Sequence, residues 1–485
     1  MHARPEEPCV QDQRRFYIGG RWVEPLAPRE FPLTNPASGE RVGSITLGGP
    51  VDIDRAVAAA GEAFPAFARS SVAERQALLG RIAMLCERRR EDLARAICAE
   101  LGAPISFARR AQARLGAGHM QAMVEVLGRY PFAEDRGRLR LLREPIGVCG
   151  LITPWNWPLN QIACKVAPAL GAGCTMVLKP SELAPLSAVV FTEILHEAGV
   201  PPGVFNLVPG DGPLTGQALA AHPGVDMVSF TGSTRGGIAV AKAAADSVKR
   251  VHQELGGKSP NLILDAAVLE RAVTWGLREC FENSGQSCNA PTRMLVPQAL
   301  QAQAVAIACQ AAAALRCGDP ADPATDLGPV ISRGQYQRIQ RLIQSGIDDG
   351  AELVLGGTGH PPGLERGFYV RPTIFAGVDP GMTIAREEIF GPVLAIMPFA
   401  DEAEAVRIAN DSPYGLAAYV SGSDQEQLRR VAGQLRAGMV HINEAPMNLH
   451  APFGGYRQSG NGREWGEFGL EAFLELKALP GYTAG

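Results

Sequence analysis

Near residue 145 the chain changes texture, and that change limits the folds open to it. IGVCGLIT, CTMVLKP, VFNLVPG, DMVSFTG and PNLILD are short apolar runs, each closed by a turn-forming or polar residue. Stretches at helical spacing, such as LSAVVFTEILHEAG and GPLTGQALAAH, separate them. A strand that is apolar on both faces must be covered on both, so this alternation predicts βαβ units around a parallel sheet. A second alternation begins near 261 and runs past 440, through RMLV, AELVLGG, YVRPTIF, VLAIMPF and MVHIN. At 485 residues the chain is longer than one hydrophobic core serves. Two such sheets in succession predict two α/β domains.

Ahead of that change, FYIGGRWVE (16–24) predicts a hairpin about its Gly-Gly turn. VDIDRAVAAAGEAF and the long run AERQALLGRIAMLCERRREDLARAICAELG carry apolar residues at helical spacing, with ERRRED as a solvated face. RGRLRLLREPIG (136–147) alternates charged and apolar residues, which predicts an exposed, two-sided strand of the kind that pairs with another subunit.

A net charge of −4 gives no pull toward nucleic acid or an anionic membrane. No window approaches the roughly 18 unbroken apolar residues of a membrane span. The N-terminal MHARPEEPCVQDQRR holds no apolar core for a secretory signal, so a cytoplasmic location is expected. The ten cysteines include no CxxC pair and the eight histidines no HxxxH, which argues against zinc and for reduced thiols.

One cysteine keeps unusual company. Buried thiols behave as small hydrophobes, but Cys288, in ENSGQSCNAPTR (282–293), is surrounded by Gly285, Gln286, Ser287 and Asn289. Four other stretches bear on it. ITPWNWP (152–158) places the amide donor Asn156 in a proline-bracketed turn, although an Asn alone is most simply a turn residue. LKPSE (178–182) closes an apolar strand where open α/β sheets bind ligands. Lys179 and Glu182 there suit ribose hydroxyls, or else form a surface ion pair; an acid at this place repels a 2′-phosphate. SFTGSTRGG (229–237) runs a strand into a glycine-opened helix whose free N–H groups suit a pyrophosphate, with GDGPLTG (210–216) a lesser candidate. In QELGGKSPN (253–261), GGKS imitates a phosphate-binding loop, but the position where that motif needs its first glycine is His252. What remains is Glu254, a base for deprotonating water. Its charge would raise the thiol's pKa rather than lower it.

These groups suit one chemistry. A thiolate adds to an aldehyde carbonyl, and an Asn amide and the cysteine N–H hold the resulting oxyanion. Hydride leaves to a nicotinamide, and glutamate-activated water releases a carboxylic acid from the thioester.

Taken in order, PWNWP, LKPSE, FTGST, ELGGKSPN, GQSC, EEIFGPV (387–393) and PFGGYRQSGNGRE (452–464) resemble the motifs of the NAD(P)-dependent aldehyde dehydrogenase superfamily. The resemblance spans about residues 16–480. It implies Cys288 as nucleophile, Glu254 as general base and Asn156 as oxyanion donor. It implies NAD as cofactor, with NADP also open. Lys179 and Glu182 would hold the adenosine ribose, Gly232 and Ser233 the pyrophosphate, and Trp155 would flank the cofactor. Glu388 and Phe390 would meet the nicotinamide ribose and ring. Lys165 and Glu464 match a pair behind the base on a proton path, and Gln335 and Arg338 fall near a further cofactor contact. The resemblance also implies a Rossmann-like NAD-binding domain (1–126 and 146–257) and an α/β catalytic domain (258–458). A small β bridging and oligomerisation element (127–145 and 459–485) would pair the strand at 136–147 with LEAFLELKAL, in a homodimer or homotetramer.

By the same analogy Trp157, Gln161, Cys164, Glu282, Ser287, Asn289, Met447 and Phe453 line the aldehyde tunnel. Glu282 is the odd member, because burying an unpaired carboxylate is costly; it pairs, points away or is protonated. With no Arg or Lys in the set, an uncharged aliphatic or aromatic aldehyde is favoured over a short dicarboxylic semialdehyde. Two other enzymatic chemistries stay open: an NAD-independent cysteine esterase or hydrolase, and an acylating dehydrogenase that passes the thioester to coenzyme A. The first needs a histidine beside the thiol, and His252, two residues before Glu254, is not expected to reach the same place. The second has no use for water activated by Glu254. A structural protein reusing the fold would have lost its nucleophile or base, and both are present.

Overall fold

The computed structural model describes residues 13–483; Cys9 and most of the N-terminal stretch discussed above lie outside them. Strands Val148–Ile152, Thr175–Lys179 and Met227–Thr231 are buried at every position, as their unbroken apolar runs require. Alternate residues face opposite cores. Leu151, Met176 and Leu178 join one cluster, while Val148, Val177 and Val228 join another.

These strands lie within an eight-stranded sheet. Its order is Gly460–Asn461, Arg250–Glu254, Met227–Thr231, Val148–Ile152, Thr175–Lys179, Phe205–Leu207, Phe16–Ile18 and Arg21–Val23. From Arg250–Glu254 to Phe205–Leu207 the strands run parallel, and the expected hairpin at 16–24 adds on antiparallel. A second sheet of seven strands is built from residues 260–442, with Arg293–Pro297 at its centre. Register decides where the chemistry gathers. Ile152 lies opposite both Lys179 and Phe230, and Thr231 opposite Glu254, so these residues end their strands at one edge of the first sheet.

Helix Pro158–Ala172 follows the first of these strands. Proline opens it at a position whose N–H needs no partner, and Gly173, at φ 95°, stops it. Every residue of this helix is buried, including Gln161, Cys164 and Lys165.

Two sequence expectations change. The helical run at 73–102 is two helices, Val72–Arg88 and Arg90–Leu101, broken at Arg89. Arg89 leaves helical geometry (φ −99°, ψ 20°) and donates to Asp92 at 3.0 Å and to Glu193 at 2.9 Å. Part of the ERRRED face is therefore tied to helix Leu186–Glu197 and not simply solvated. Strand Leu139–Pro145 is half-exposed along its length, as its alternation predicts, but it is the middle strand of a three-stranded antiparallel sheet. Leu474–Pro480, which holds the end of LEAFLELKAL, lies on one side, as the resemblance implied, and Ala133–Arg136 on the other. Its backbone is thus satisfied within the chain, and the free edges belong to its neighbours. No helix among the described residues is long and apolar enough to cross a membrane.

Candidate active site

The loop that carries Cys288 joins helix Leu269–Phe281 to strand Arg293–Pro297. It leaves the helix through three consecutive left-handed residues, Asn283, Ser284 and Gly285, at φ 55°, 56° and 75°. At Gly285 a methyl group would fall 2.1 Å from the Gly391 carbonyl oxygen, so only glycine fits. Side chains hold this strained turn. Asn283 Nδ2 donates to the carbonyls of Asn156 (2.8 Å) and Gln286 (3.2 Å), and Gln112 Nε2 donates to Asn283 Oδ1 (3.1 Å). Asn156 Nδ2 donates to the Gln286 carbonyl at 3.1 Å, and Trp157 Nε1 to Ser287 Oγ at 2.8 Å. The PWNWP and GQSC motifs are therefore bonded together, leaving the second amide hydrogen of Asn156 for another acceptor.

Cys288 keeps partial exposure in this loop. The backbone at Gly257 passes so close that a methyl there would lie 2.6 Å from the Cys288 carbonyl oxygen. Burial pushes the thiol pKa up, and the carboxyls of Glu388 and Glu254 push it further, while the backbone N–H groups of Cys288 and Asn289 act in the opposite direction. Asn289 itself turns aside, with its Nδ2 on the Tyr419 hydroxyl at 3.1 Å.

Glu254 ends its strand with both carboxyl oxygens buried and unpartnered. Burial raises its pKa well above the ordinary value, and Glu464 adds to the rise; Lys165 and Arg463 oppose it. Behind it, Lys165 and Glu464 form a hydrogen-bonded ion pair with side chains 0% and 4% exposed. The Cys164 thiol donates to the other Glu464 oxygen at 3.3 Å. His252 is the residue that sequence reasoning misplaced. On a strand, residues two apart share a face, and its Nε2 stands 3.7 Å from Glu254 Oε1.

Lys179, Gly232 and Ser233 lie at or just past strand ends at the same edge of the first sheet, and Glu388 reaches Gly257 from the loop before strand Val393–Phe399. Lys179 is buried, with Nζ on the carbonyls of Pro180 and Gly210 at 2.7 Å each and 3.8 Å from Glu182. Burial lowers its pKa. Gly232 turns the chain into helix Thr234–Ala244, which Ser233 caps by accepting from Gly236 N at 3.2 Å. Glu388 accepts from Gly257 N at 3.1 Å, and its carboxyl is pushed up to about 7, chiefly by burial. Phe390 meets Trp155 edge-to-face with centroids 5.4 Å apart. Arg338 donates to the carbonyls of Glu388 (2.6 Å) and Ile389 (3.0 Å), so it positions that segment. Gln335 donates its backbone N–H to Ser332 Oγ, at the start of helix Arg333–Asp348.

Cys288 packs against an apolar cluster of Cys164, Leu416, Phe453 and Trp465, as do Met439 and Leu449. Phe453 and Trp465 face each other at 4.6 Å. Met447 is exposed and outside this cluster. Gln161 is buried, its side-chain oxygen 3.9 Å from the Cys164 sulfur. Glu282 pairs with Arg110 at 3.6 Å, and Arg110 sits 5.2 Å above the Phe107 ring, which in turn meets Trp157 at 5.3 Å. Trp465 adjoins Glu464 and was within reach of sequence reasoning; Phe107, Arg110 and Leu449 carry no motif that would have found them.

The aldehyde dehydrogenase family profile matches residues 22–479. A 3-succinoylsemialdehyde-pyridine dehydrogenase from a Pseudomonas species is 54% identical over 98% of this chain and 99% of its own length. Among solved structures, a cysteine-to-alanine mutant of aldehyde dehydrogenase C from Pseudomonas syringae, complexed with NAD+ and octanal, is 51% identical. Its TM-score is 0.96, covering 100% of this chain and 99% of the other. A Mycobacterium tuberculosis aldehyde dehydrogenase complexed with NAD+ is 39% identical, with a TM-score of 0.95 over 98% of this chain and 100% of its own. Likeness that runs through both sheets and the loops between them leaves one conclusion: this chain belongs to the aldehyde dehydrogenase family.

Proposed function

We propose that the protein oxidises an uncharged aldehyde to its carboxylic acid with NAD as hydride acceptor, using Cys288 as nucleophile and Glu254 as base. The observation that carries this reading is the buried, unpartnered Glu254 carboxyl, three residues before Gly257, whose backbone passes against the carbonyl of the partly exposed Cys288. A glutamate without a partner at such a place is expensive to maintain and suits proton transfer.

The residues fit a dinucleotide. Ser233 opens an eleven-residue helix whose first N–H groups suit a pyrophosphate. Lys179 and Glu182 take the adenosine ribose, and Glu388, Phe390 and Trp155 the nicotinamide end. When bound in its oxidised form, the cofactor supplies the hydride acceptor. Cys288 gives its thiol proton to solvent water, Sγ adds to the aldehyde carbon as the carbonyl π bond opens, and the oxyanion is held by the free Asn156 amide hydrogen and the Cys288 N–H. Loss of hydride leaves an acyl group on Cys288. Glu254 then takes a proton from water, the hydroxide adds to the thioester carbon, and the C–S bond breaks to release the acid. Lys165 and Glu464 stand behind Glu254 to pass that proton on.

The cluster of Phe453, Trp465 and Leu449 beside Cys288 supports an apolar substrate, as does the octanal bound in the Pseudomonas syringae relative. The exposed Leu476 on the outer strand Leu474–Pro480 supports pairing with a second copy in a homodimer or homotetramer. Free thiols suit a reducing, cytoplasmic setting. We assign the first sheet to the cofactor domain and the second to the catalytic domain. Strand Gly460–Asn461 pairs with Arg250–Glu254 and so joins the cofactor sheet.

The test is NADH formation from a panel of aldehydes. Cys288→Ala abolishes turnover while NAD still binds, and Glu254→Gln gives a burst of NADH followed by slow release of acid. Ester cleavage indifferent to NAD, or turnover that requires coenzyme A, overturns the reading.

A further inference from the structure

We propose that His252 is the positioning residue of the general base, its Nε2–H orienting the Glu254 carboxylate and keeping it ionisable in its buried setting. The inference rests on Glu254 being that base. His252 Nε2 lies 3.7 Å from Glu254 Oε1, and His252 Nε2 and both Glu254 oxygens are buried without a hydrogen-bond partner. Buried polar atoms are rarely left unpaired, and a small side-chain rotation brings this pair within bonding distance.

The ring's other nitrogen has a partner compatible with this direction. Nδ1 lies 3.4 Å from Ser229 Oγ, a fully buried hydroxyl on the neighbouring strand Met227–Thr231. The imidazole is the polar partner of that hydroxyl among the described residues. In the proposed arrangement the hydroxyl donates to Nδ1, which puts the ring proton on Nε2, facing the carboxylate. Space for the ring comes from Gly462 on the opposite side, where a methyl would fall 1.9 Å from His252 Cδ2.

The surrounding charges complete the case. Lys165 and Cys164 approach from helix Pro158–Ala172, Arg463 and Glu464 from the segment after Gly460–Asn461, and Arg250 lies on the same strand. Burial holds the imidazole pKa down to about 4, so the ring is a neutral donor through the working range. Burial pushes Glu254 toward its protonated, inactive form, and a hydrogen bond donated to the carboxylate acts against that. Water can then give its proton to Glu254, and the hydroxide can cleave the thioester.

The experiment uses the full-length protein, NAD and a simple aldehyde, with NADH followed by stopped flow across pH. His252→Leu keeps a full burst of NADH, then runs about tenfold slower in the steady state near neutral pH and recovers as pH rises. His252→Gln, which carries an amide N–H to the same place, restores the neutral-pH rate. In a Glu254→Gln background, His252→Leu has no further effect. An unchanged pH profile in His252→Leu, or a loss equal at all pH that Gln does not rescue, overturns the proposal. If Glu254→Gln alone releases acid at the wild-type rate, the assignment of the base falls, and this proposal falls with it.

Discussion

Replacing Lys165 by methionine tests the electrostatics of the site most directly. Lys165 and Glu464 are cut off from water, and the Cys164 thiol at 3.3 Å is the other hydrogen-bond donor to Glu464. Removing one member of such a pair leaves a buried charge without its counter-charge, which costs about 3–5 kcal/mol. Removing both, in Lys165→Met with Glu464→Gln, recovers much of that loss, because the desolvation of two ions disappears along with their attraction. The pH dependence carries a sign. Against the effect of burial, Lys165 holds the folded Glu464 pKa below its ordinary value, so its contribution is present above the unfolded carboxylate range and lost as pH falls through the folded value. Likewise Glu464 holds the folded Lys165 pKa above its ordinary value, so that contribution is present below the unfolded lysine pKa and lost as pH rises through the folded one. In Lys165→Met the stranded Glu464 carboxyl instead prefers to be protonated. The deficit relative to wild type is therefore largest between the two folded pKa values, at neutral pH, and shrinks on acidification and again once pH rises through the folded Lys165 value. Urea unfolding at a series of pH values, read by tryptophan emission, measures it, with Trp465 adjacent to the pair. A neutral-pH deficit below about 1 kcal/mol, or one that widens as pH falls, would falsify this account.

Other consequences are open to simple assays. Glu182→Ser should raise kcat/KM for NADP about tenfold by removing a charge that repels the 2′-phosphate; an unchanged ratio of NADP to NAD use removes Glu182 from cofactor choice. Glu282→Gln releases Arg110 from its ion pair at 3.6 Å. KM for an aldehyde bearing a terminal carboxylate should then fall about two- to fivefold with neutral aldehydes unaffected, and equal changes for both substrates would count against it. Gly285→Ala forces a side chain into a left-handed residue and against the Gly391 carbonyl. The left-handed conformation alone costs about 1–2 kcal/mol, so thermal stability and kcat should both drop, and an intact kcat would show that the turn does not position Cys288.

Much of the architecture was legible because periodicity is local. Apolar runs buried on both faces announced a parallel sheet, and the strand ends gathered LKPSE, FTGST and ELGG at one edge. The alternation in 136–147 announced a half-exposed strand, but which strands flank it depends on residues 474–480, far along the chain. The break at Arg89 was hidden because apolar spacing continues across it. His252 was misjudged for a plainer reason: once the strand is known to run to Glu254, a period of two puts both side chains on one face.

The sequence by itself determined the class of fold and singled out the thiol and the carboxylate proposed to act together, since these depend on residue types and on spacing along a strand or turn. Only the tertiary structure decided that Arg110 meets Glu282, that Trp465 and Leu449 join the apolar cluster against which Cys288 packs, and that His252 and Glu254 face each other unpaired. Such contacts depend on register and loop path, which bring together residues whose local patterns contain no reference to one another.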